Sequence, residues 1–300
     1  MTGPLPSPGA PSRPSGAVPV RDAATVMLVR DGADGMEVFM LRRNLSSVFV
    51  AGAYVFPGGA VDDYDRHSDL GPVCAGRTDA EASELLGIPE GGLAFWVAAV
   101  RECFEEAGVL LAYDPSGAVL SLARPEVEAR FVGHRRAIDT GSGSLVDVCG
   151  EEDLLLAVDR IHYFSHWITP LGAPRRYDTR FFVTAAPEEQ VPLHDNRETI
   201  AGLWVRPADA LDRYEEGELD LILPTIRNLE AIGRFDRSED LLAAAAAIES
   251  VPAILPRVVS DGHGMRIVLP GDPAYEHLGE GASLPPGSPL PGQRGGPAVP

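Results

Sequence analysis

The sequence predicts an α+β fold: a mixed β-sheet sandwiched between helices. Three observations predict it. Short runs rich in β-branched and aromatic residues open the folded region and return in the second half. Long amphipathic stretches interrupt them. The two kinds never settle into the regular βαβα alternation that a doubly wound parallel sheet requires.

The elements follow in order. Residues 1–20 and 281–300 each carry six prolines among Gly and Ser, too little apolar surface to order, so disordered ends are expected around a folded part from Arg21 to Glu280. Ala24–Val29 and Glu37–Leu41 flank the Gly/Asp turn Asp31–Gly35 and read as a hairpin. Ala53–Phe56 reads as a short strand stopped by a sharp turn at Pro57-Gly58-Gly59. From Asp63 to about Gly92 a polar loop is expected, with a short helix at Asp79–Leu86. Leu93–Leu111 has the period of a long helix, closed near Gly108. Helices are expected at Pro125–Ile138 and Glu151–Val158, and strands at Tyr163–Ile168, Arg180–Ala185 and Leu203–Val205. Further helices fall at Pro207–Tyr214, Pro224–Ile232 and Ser238–Ile248, before a hairpin of Ile254–Val259 with Met265–Leu269.

Composition narrows the function. The 300 residues hold 25 basic and 44 acidic side chains, a net charge of −19, which argues against binding a nucleic-acid polymer. The longest apolar run, Leu241–Ile248, is 8 residues, far short of the roughly 20 that span a bilayer, so no membrane partner is expected. Cys74, Cys103 and Cys149 are odd in number and form no CxxC, which indicates neither a disulfide framework nor a zinc site. Residues 1–20 lack an apolar signal region and the chain ends in Pro297–Pro300 rather than a peroxisomal tripeptide, so a reducing cytoplasm is the expected location.

The chemistry concentrates at Arg101–Val109. On a helix, Glu102, Glu105 and Glu106 stand at i, i+3 and i+4 and share one face. Carboxylates that close repel one another; a solvated acidic face is the ordinary outcome, and a bound cation is the functional one. All-oxygen ligands suit Mg²⁺ or Mn²⁺. Arg101 can pair with Glu105 one turn on, while Val97, Val100, Phe104 and Ala107 remain for packing. Upstream, Gly58-Gly59 can bring backbone carbonyls close to a metal, and Asp62, Asp63 and Asp65 follow at once.

These residues resemble the Nudix hydrolase signature, G-x5-E-x7-R-E-U-x-E-E-x-G-U with U a bulky apolar residue. Arg101, Glu102, Glu105, Glu106 and Gly108 match its second half, with Val109 as the last U. Gly59 matches the first Gly, and Asp65 falls where the family has Glu. The spacer from Asp65 to Arg101 is 35 residues instead of 7, and Cys103 is small for its U position. An insertion at 66–94 thus splits the box, as in the branch that includes the peroxisomal coenzyme A diphosphatase. Leu41-Arg42-Arg43 before Phe56–Asp62 also resembles, loosely, the extra motif of coenzyme A pyrophosphatases.

The resemblance implies a Nudix-like sheet over residues 21–232, with a C-terminal helical and hairpin extension at 233–280 packed on it. It implies Glu102, Glu105 and Glu106 as metal ligands, the Gly58 carbonyl completing the shell, and Arg101 orienting carboxylates. Asp65 reaches the metal only through water or serves as a loop cap. Asp195–Glu198 ahead of Trp204 resembles the family's acid-then-Trp segment, with Glu198 chosen as fourth carboxylate or general base against Asp195, Glu188 and Glu189. Arg175, Arg176 and Arg180, with Arg42 and Arg43 and the turn at Gly59, are candidates to hold a diphosphate or an adenosine 3′-phosphate; ordinary salt bridges compete for each arginine. His166, Trp167 and Trp96 can stack on a base or fill the core.

The implied activity is Mg²⁺- or Mn²⁺-dependent hydrolysis of a nucleoside diphosphate linked to another moiety. Coenzyme A or acyl-coenzyme A is the first choice, giving 3′,5′-ADP and (acyl-)phosphopantetheine. ADP-ribose, NADH or dinucleoside polyphosphates are the rivals, and a non-catalytic nucleotide-sensing module is the alternative from another class. The insertion is expected to form a lid or a pantetheine-facing wall. The expected partners are the small-molecule diphosphate and, as a possibility, a second copy in a homodimer.

Overall fold

A computed structural model describes residues 18–46, 50–195, 197–261 and 264–278. Of the ends expected to be disordered, 1–17 and 281–300 lie outside these residues, while Val20 already belongs to a strand. Strand β1 (Val20–Gly32) pairs with β2 (Gly35–Arg43) as the expected hairpin, Val29 opposite Val38 and Gly32 opposite Gly35. After β3 (Tyr54–Val55) the expected sharp turn is instead a strand, β4 (Gly58–Ala60), antiparallel to β1. Glycine makes that possible: a Cβ on Gly58 would lie 2.6 Å from the Ala24 carbonyl oxygen.

The polar stretch that follows holds two 3-10 turns, Asp63–Arg66 and Ser68–Val73, and α1 (Asp79–Leu86), started by a Thr78/Glu81 capping box. Helix α2 (Leu93–Ala107) begins at Gly92, which has no side chain to cap it. Asp79 supplies the missing acceptor, taking the Leu93 amide at 2.9 Å and the Gly91 amide at 3.0 Å. The helix stops at Gly108 in the left-handed conformation (φ 68°), four residues short of the expected Leu111.

Strand β5 (Ala112–Tyr113) and α3 (Pro125–Asp139) come next. The helix expected at Glu151–Val158 lies earlier, as α4 (Leu145–Glu152), because Ser144 and Asp147 form a capping box. Asp153 turns the chain out with φ 53°, and β6 (Leu155–Leu156) then pairs with β5. Strands β7 (His162–Ile168), β8 (Arg176–Ala185) and β9 (Thr199–Val205) follow, the last two starting four residues before the expected points. The remainder comprises α5 (Pro207–Glu215), α6 (Leu223–Ile232), α7 (Ser238–Ala246), β10 (Ala253–Ile254) and the hairpin of β11 (Arg257–Asp261) with β12 (Gly264–Val268).

The main sheet runs β10-β7-β8-β1-β2-β3, with β4 also on β1 and β9 also on β2. Its centre is a ten-residue parallel pair, β1 with β8, among mostly antiparallel neighbours. Alternate residues of β1 feed two cores. Ala24, Val26 and Leu28 meet Trp96, Val100 and Phe104 of α2 on one face. Met27 and Val29 meet Leu229, Ile232 and Leu241 of α6 and α7 on the other. The sandwich of helices around a mixed sheet is therefore as expected. Among the described residues no helix is long and apolar enough to cross a membrane, and all three cysteines are free thiols.

Because Asp79 caps α2 from outside it, Asp79→Ala is expected to destabilise the protein by about 1 kcal/mol. The urea midpoint measures this, and an unchanged midpoint would show that α2 does not need the insertion for its cap.

Candidate active site

Arg101 is the hub of the acidic face. Its side chain is only 10% exposed. Nε and Nη2 donate to the two Asp65 oxygens at 2.8 and 2.9 Å, a bidentate fork. Nη1 donates to Glu102 at 2.9 Å and to Glu105 at 3.3 Å, while Nη2 also reaches the Ala60 carbonyl at 2.8 Å. All five guanidinium N–H groups thus have an acceptor. Burial disfavours the charge, but the Asp65 bonds and the neighbouring carboxylates outweigh it and hold Arg101 protonated. Asp65 is therefore engaged by Arg101, and it also accepts the Asp62 amide at 2.8 Å as a cap, the second of the two roles considered for it. The expected Arg101–Glu105 pair exists but is the longest of the side-chain contacts within hydrogen-bond reach.

Glu106 is buried deeper. Its Oε2 accepts the Gly58 amide at 3.0 Å, while the buried Oε1 has no hydrogen-bond partner among the described residues. Burial, then the Glu102 charge, pushes its carboxyl well above the usual range despite the Gly58 bond. Burial pushes Glu102 up to about 7, opposed by Arg101 and assisted by Glu105; burial also raises Glu105. Glu102 lies directly against Gly59, where a Cβ would come within 2.4 Å of Oε1. An orphaned carboxylate oxygen beside carboxyls that resist ionising fits a divalent cation in charge and in donor chemistry. Among the described residues no three acidic, His or Cys side chains yet form a ligand cluster, since Arg101 draws Glu102 and Glu105 toward itself.

Beside these groups lies a cleft of about 420 Å³, which Glu106 and Asp65 do not themselves line. Gly58, Gly59, Arg101, Glu102 and Glu105 line one end, with Arg43 and Glu198. Glu198 is held from both sides of its backbone: its carbonyl accepts the Asn44 amide at 2.8 Å and its amide donates to Asp195 at 3.0 Å. Asp195 caps that loop, accepting from the Arg197, Glu198 and Thr199 amides and the Thr199 hydroxyl. Those bonds hold its carboxyl below the usual range although burial opposes them. Glu188 and Glu189 are exposed and lie outside the cleft lining. Of the four acids considered, only Glu198 lines the cleft.

The arginines divide by strand alternation. Arg43 and Arg175 line the cleft. Arg42 points elsewhere, over the Tyr54 ring at 5.9 Å. Arg176 donates to the Thr169 carbonyl at 3.0 Å. Arg180 is buried on the α2 face, 4.5 Å from the Phe95 ring and 2.7 Å from Asp178. The expectation that Arg42, Arg176 and Arg180 contact substrate is thus not met by their placement. In β8 only Tyr177, Thr179 and Phe181 face the cleft, one residue out of phase with Arg176 and Arg180. Trp96 is core, its Nε1 donating to the Ile161 carbonyl at 2.9 Å, and His166 is bonded to Asp178, whereas Trp167 lines the cleft.

The expected lid is also corrected. No residue of 66–94 lines the cleft; Leu70, Ala82 and Leu86 are buried with α2 on the opposite face of the sheet. The rest of the cleft wall comes from Trp167, one of the candidate base-stacking residues, and from Ile222, Leu223, Pro224, Thr225 and Pro256, which no motif marks. Period two groups Thr179 with Phe181 on one face of β8 and Thr25 with Met27 on one face of β1, but nothing local marks those faces, α6 or Pro256 as belonging to the cleft.

Comparison with known proteins agrees with this geometry. A family model described as the NUDT19 Nudix domain matches residues 72–232, which include Arg101–Gly108 and Glu198. A human protein named acyl-coenzyme A diphosphatase NUDT19 is 29% identical over 277 residues, covering 81% of this chain and 73% of that one. Its namesake from Gallus gallus is 30% identical over 303 residues, covering 85% and 79%. The crystal structure of a NUDIX hydrolase from Alicyclobacillus acidocaldarius superposes with a TM-score of 0.60 at 26% identity, over 78% of this chain and 99% of that one.

Two outcomes are expected. Asp65→Asn removes one charge from a buried pair and should cost roughly 3 kcal/mol in denaturant unfolding, where a loss under about 1 kcal/mol would contradict the fork. Glu102 titrates at about 7 in the fold and at about 4.3 when unfolded. The folded state therefore binds the proton more tightly, and this stabilising contribution is lost as pH rises from the unfolded value through about 7. A divalent cation takes the place of that proton, so the rise in melting temperature on adding Mg²⁺ should be larger at pH 8 than at pH 6. Equal rises would count against Glu102 as a ligand.

Proposed function

This chain belongs to the NUDT19 Nudix-domain family of hydrolases, and from that premise we propose that it is a diphosphatase of coenzyme A and its acyl esters, working with Mg²⁺ or Mn²⁺. The products are 3′,5′-ADP and (acyl-)phosphopantetheine. Relatives at about this identity carry the name acyl-coenzyme A diphosphatase over most of their length, which supports the substrate class. The observation that carries the chemistry is the buried Glu106 Oε1, without a hydrogen-bond partner among the described residues, behind Glu102 and Glu105, which line the cleft.

Glu102, Glu105 and Glu106 would hold the ion, with the Gly58 backbone beside them. When bound, the ion neutralises diphosphate charge and lowers the pKa of water. The chain's own residues do the rest. Arg101 fixes Glu102 and Glu105 against mutual repulsion. Glu198 accepts the proton of the attacking water, whose oxygen bonds to one phosphorus as the bond from that phosphorus to the bridging oxygen breaks. The departing phosphoryl fragment carries the bridging oxygen away. Arg43 stands at this end of the cleft, its buried Nε without a hydrogen-bond partner among the described residues, and suits a phosphoryl oxygen. Arg175, at the start of β8, suits a more distant phosphate.

A panel of coenzyme A, acyl-coenzyme A, ADP-ribose, NADH and diadenosine polyphosphates, each with Mg²⁺ and with Mn²⁺, tests the reading. Coenzyme A substrates should have the highest kcat/KM, and Glu106→Gln should lower their kcat by at least about 100-fold. Preference for another member would overturn the substrate. Absence of metal-dependent turnover on every member would favour the nucleotide-sensing alternative.

A further inference from the structure

The cleft continues past the carboxylates across the sheet. From β4, where Gly58 and Gly59 lie, it passes β1 and β8 to Trp167 on β7. That is three strand steps, or roughly 14 Å at about 4.8 Å per step. Pro256, just after β10, continues the wall beyond it. The first turn of α6, from Ile222 to Thr225, borders the same groove, while Asn228 farther along α6 accepts the Ser165 hydroxyl of β7 at 2.7 Å and holds the helix over the sheet. A diphosphate at the carboxylates leaves most of this length for another part of the substrate.

Three hydroxyls face the groove without a hydrogen-bond partner among the described residues: Thr25, Thr179 and Thr225. Thr25 Oγ1 lies beside Gly58, so close that a Cβ there would be 2.5 Å away. Thr179 stands opposite Trp167 across the β7–β8 pair. Thr225 is 2% exposed as a residue and lines the groove. It occupies the first turn of α6, whose N-cap Ile222 offers no side-chain acceptor and whose Pro224 has no N–H, so the Leu223 and Thr225 amides also lack capping. Between the hydroxyls the walls are apolar: Phe56, Trp167, Phe181, Leu223 and Pro256. The arginines of the cleft are Arg43 and Arg101 at the carboxylate end and Arg175 just before β8, near the Thr169–Tyr177 pair. Hydrogen-bonding groups spaced along the apolar stretch between the carboxylate end and Arg175 suit a neutral chain carrying amides there.

We propose that the groove binds the neutral, amide-bearing arm of the substrate, which in coenzyme A is the pantetheine, and that Thr25, Thr179 and Thr225 are its specificity-determining residues. The assignment rests on the coenzyme A reading above and adds where, and by which atoms, the arm is recognised. It also gives the chain beyond residue 232 a part in the site, since Pro256 closes the far wall.

The test is free pantetheine, which has no phosphate and needs no metal. Its dissociation constant for the metal-free, full-length protein is read by saturation-transfer NMR. Thr179→Val and Thr225→Val keep the side-chain shape and should each weaken binding by about 3- to 10-fold. Thr225→Ser keeps the hydroxyl and should bind as the wild type does. Removing an unpartnered hydroxyl does not destabilise a fold, so thermal unfolding identifies any variant whose loss is merely structural. No binding to the wild type, or equal binding by the valine variants, overturns the proposal. Pantetheine binding through these hydroxyls without hydrolysis of coenzyme A would defeat the substrate reading alone, whereas hydrolysis with unaffected valine variants would defeat the groove alone.

Discussion

A single guanidinium makes this arrangement of acids sustainable. Helix α2 carries three carboxylates on one face, and burying them together is unfavourable on two counts, desolvation and mutual repulsion. Arg101 offsets both by engaging Asp65, Glu102, Glu105 and the Ala60 carbonyl with its five donors. Lysine offers one charge with no planar fork and would leave several of these acceptors unpaired. What Arg101 does not reach is Glu106, and there the imbalance persists as one unpartnered oxygen. The structure thus concentrates its unmet electrostatic demand at the point where a cation and a diphosphate would meet.

The rest of the fold serves that geometry. Gly58 and Gly59 allow β4 to lie against β1 and Glu102 to lie against β4, so the helix and strand approach without a side chain between them. Asp65, just before the long insertion, grips Arg101, and within the insertion Asp79 caps the beginning of α2. The insertion braces that helix and leaves the cleft open. The opposite face of the sheet, with β7, β8, α6 and the segment after β10, supplies the remaining walls of the cleft.

Most of this was legible where one residue type has one physical use. The i, i+3, i+4 acids, the glycine at the end of α2 and the amphipathic period of that helix identified the chemistry and the element bearing it. The hairpin β1–β2 and the helices with proline at their first turns were equally plain. Two local misreadings had local causes. The Ser144/Asp147 capping box places α4 earlier than its apolar residues suggest, and two glycines that look like a turn are a strand needing close approach. The role of the insertion and the positions of Arg42, Arg176 and Arg180 depended on facts that no window of sequence contains. Which face of a central strand meets the cleft is decided by its pairing partners, and in a sheet covered on both sides hydrophobicity gives no clue to it.

The central claim is that the buried acids of α2 hold a divalent cation, with Glu106 indispensable. Electron paramagnetic resonance of Mn²⁺ titrated into the full-length protein at pH 8 tests it directly, because only free Mn²⁺ gives the sharp six-line signal. The account predicts that the wild-type protein suppresses that signal up to a saturating stoichiometry and that Glu106→Gln leaves it essentially unsuppressed. Equal suppression by both proteins would place the metal elsewhere and contradict the account.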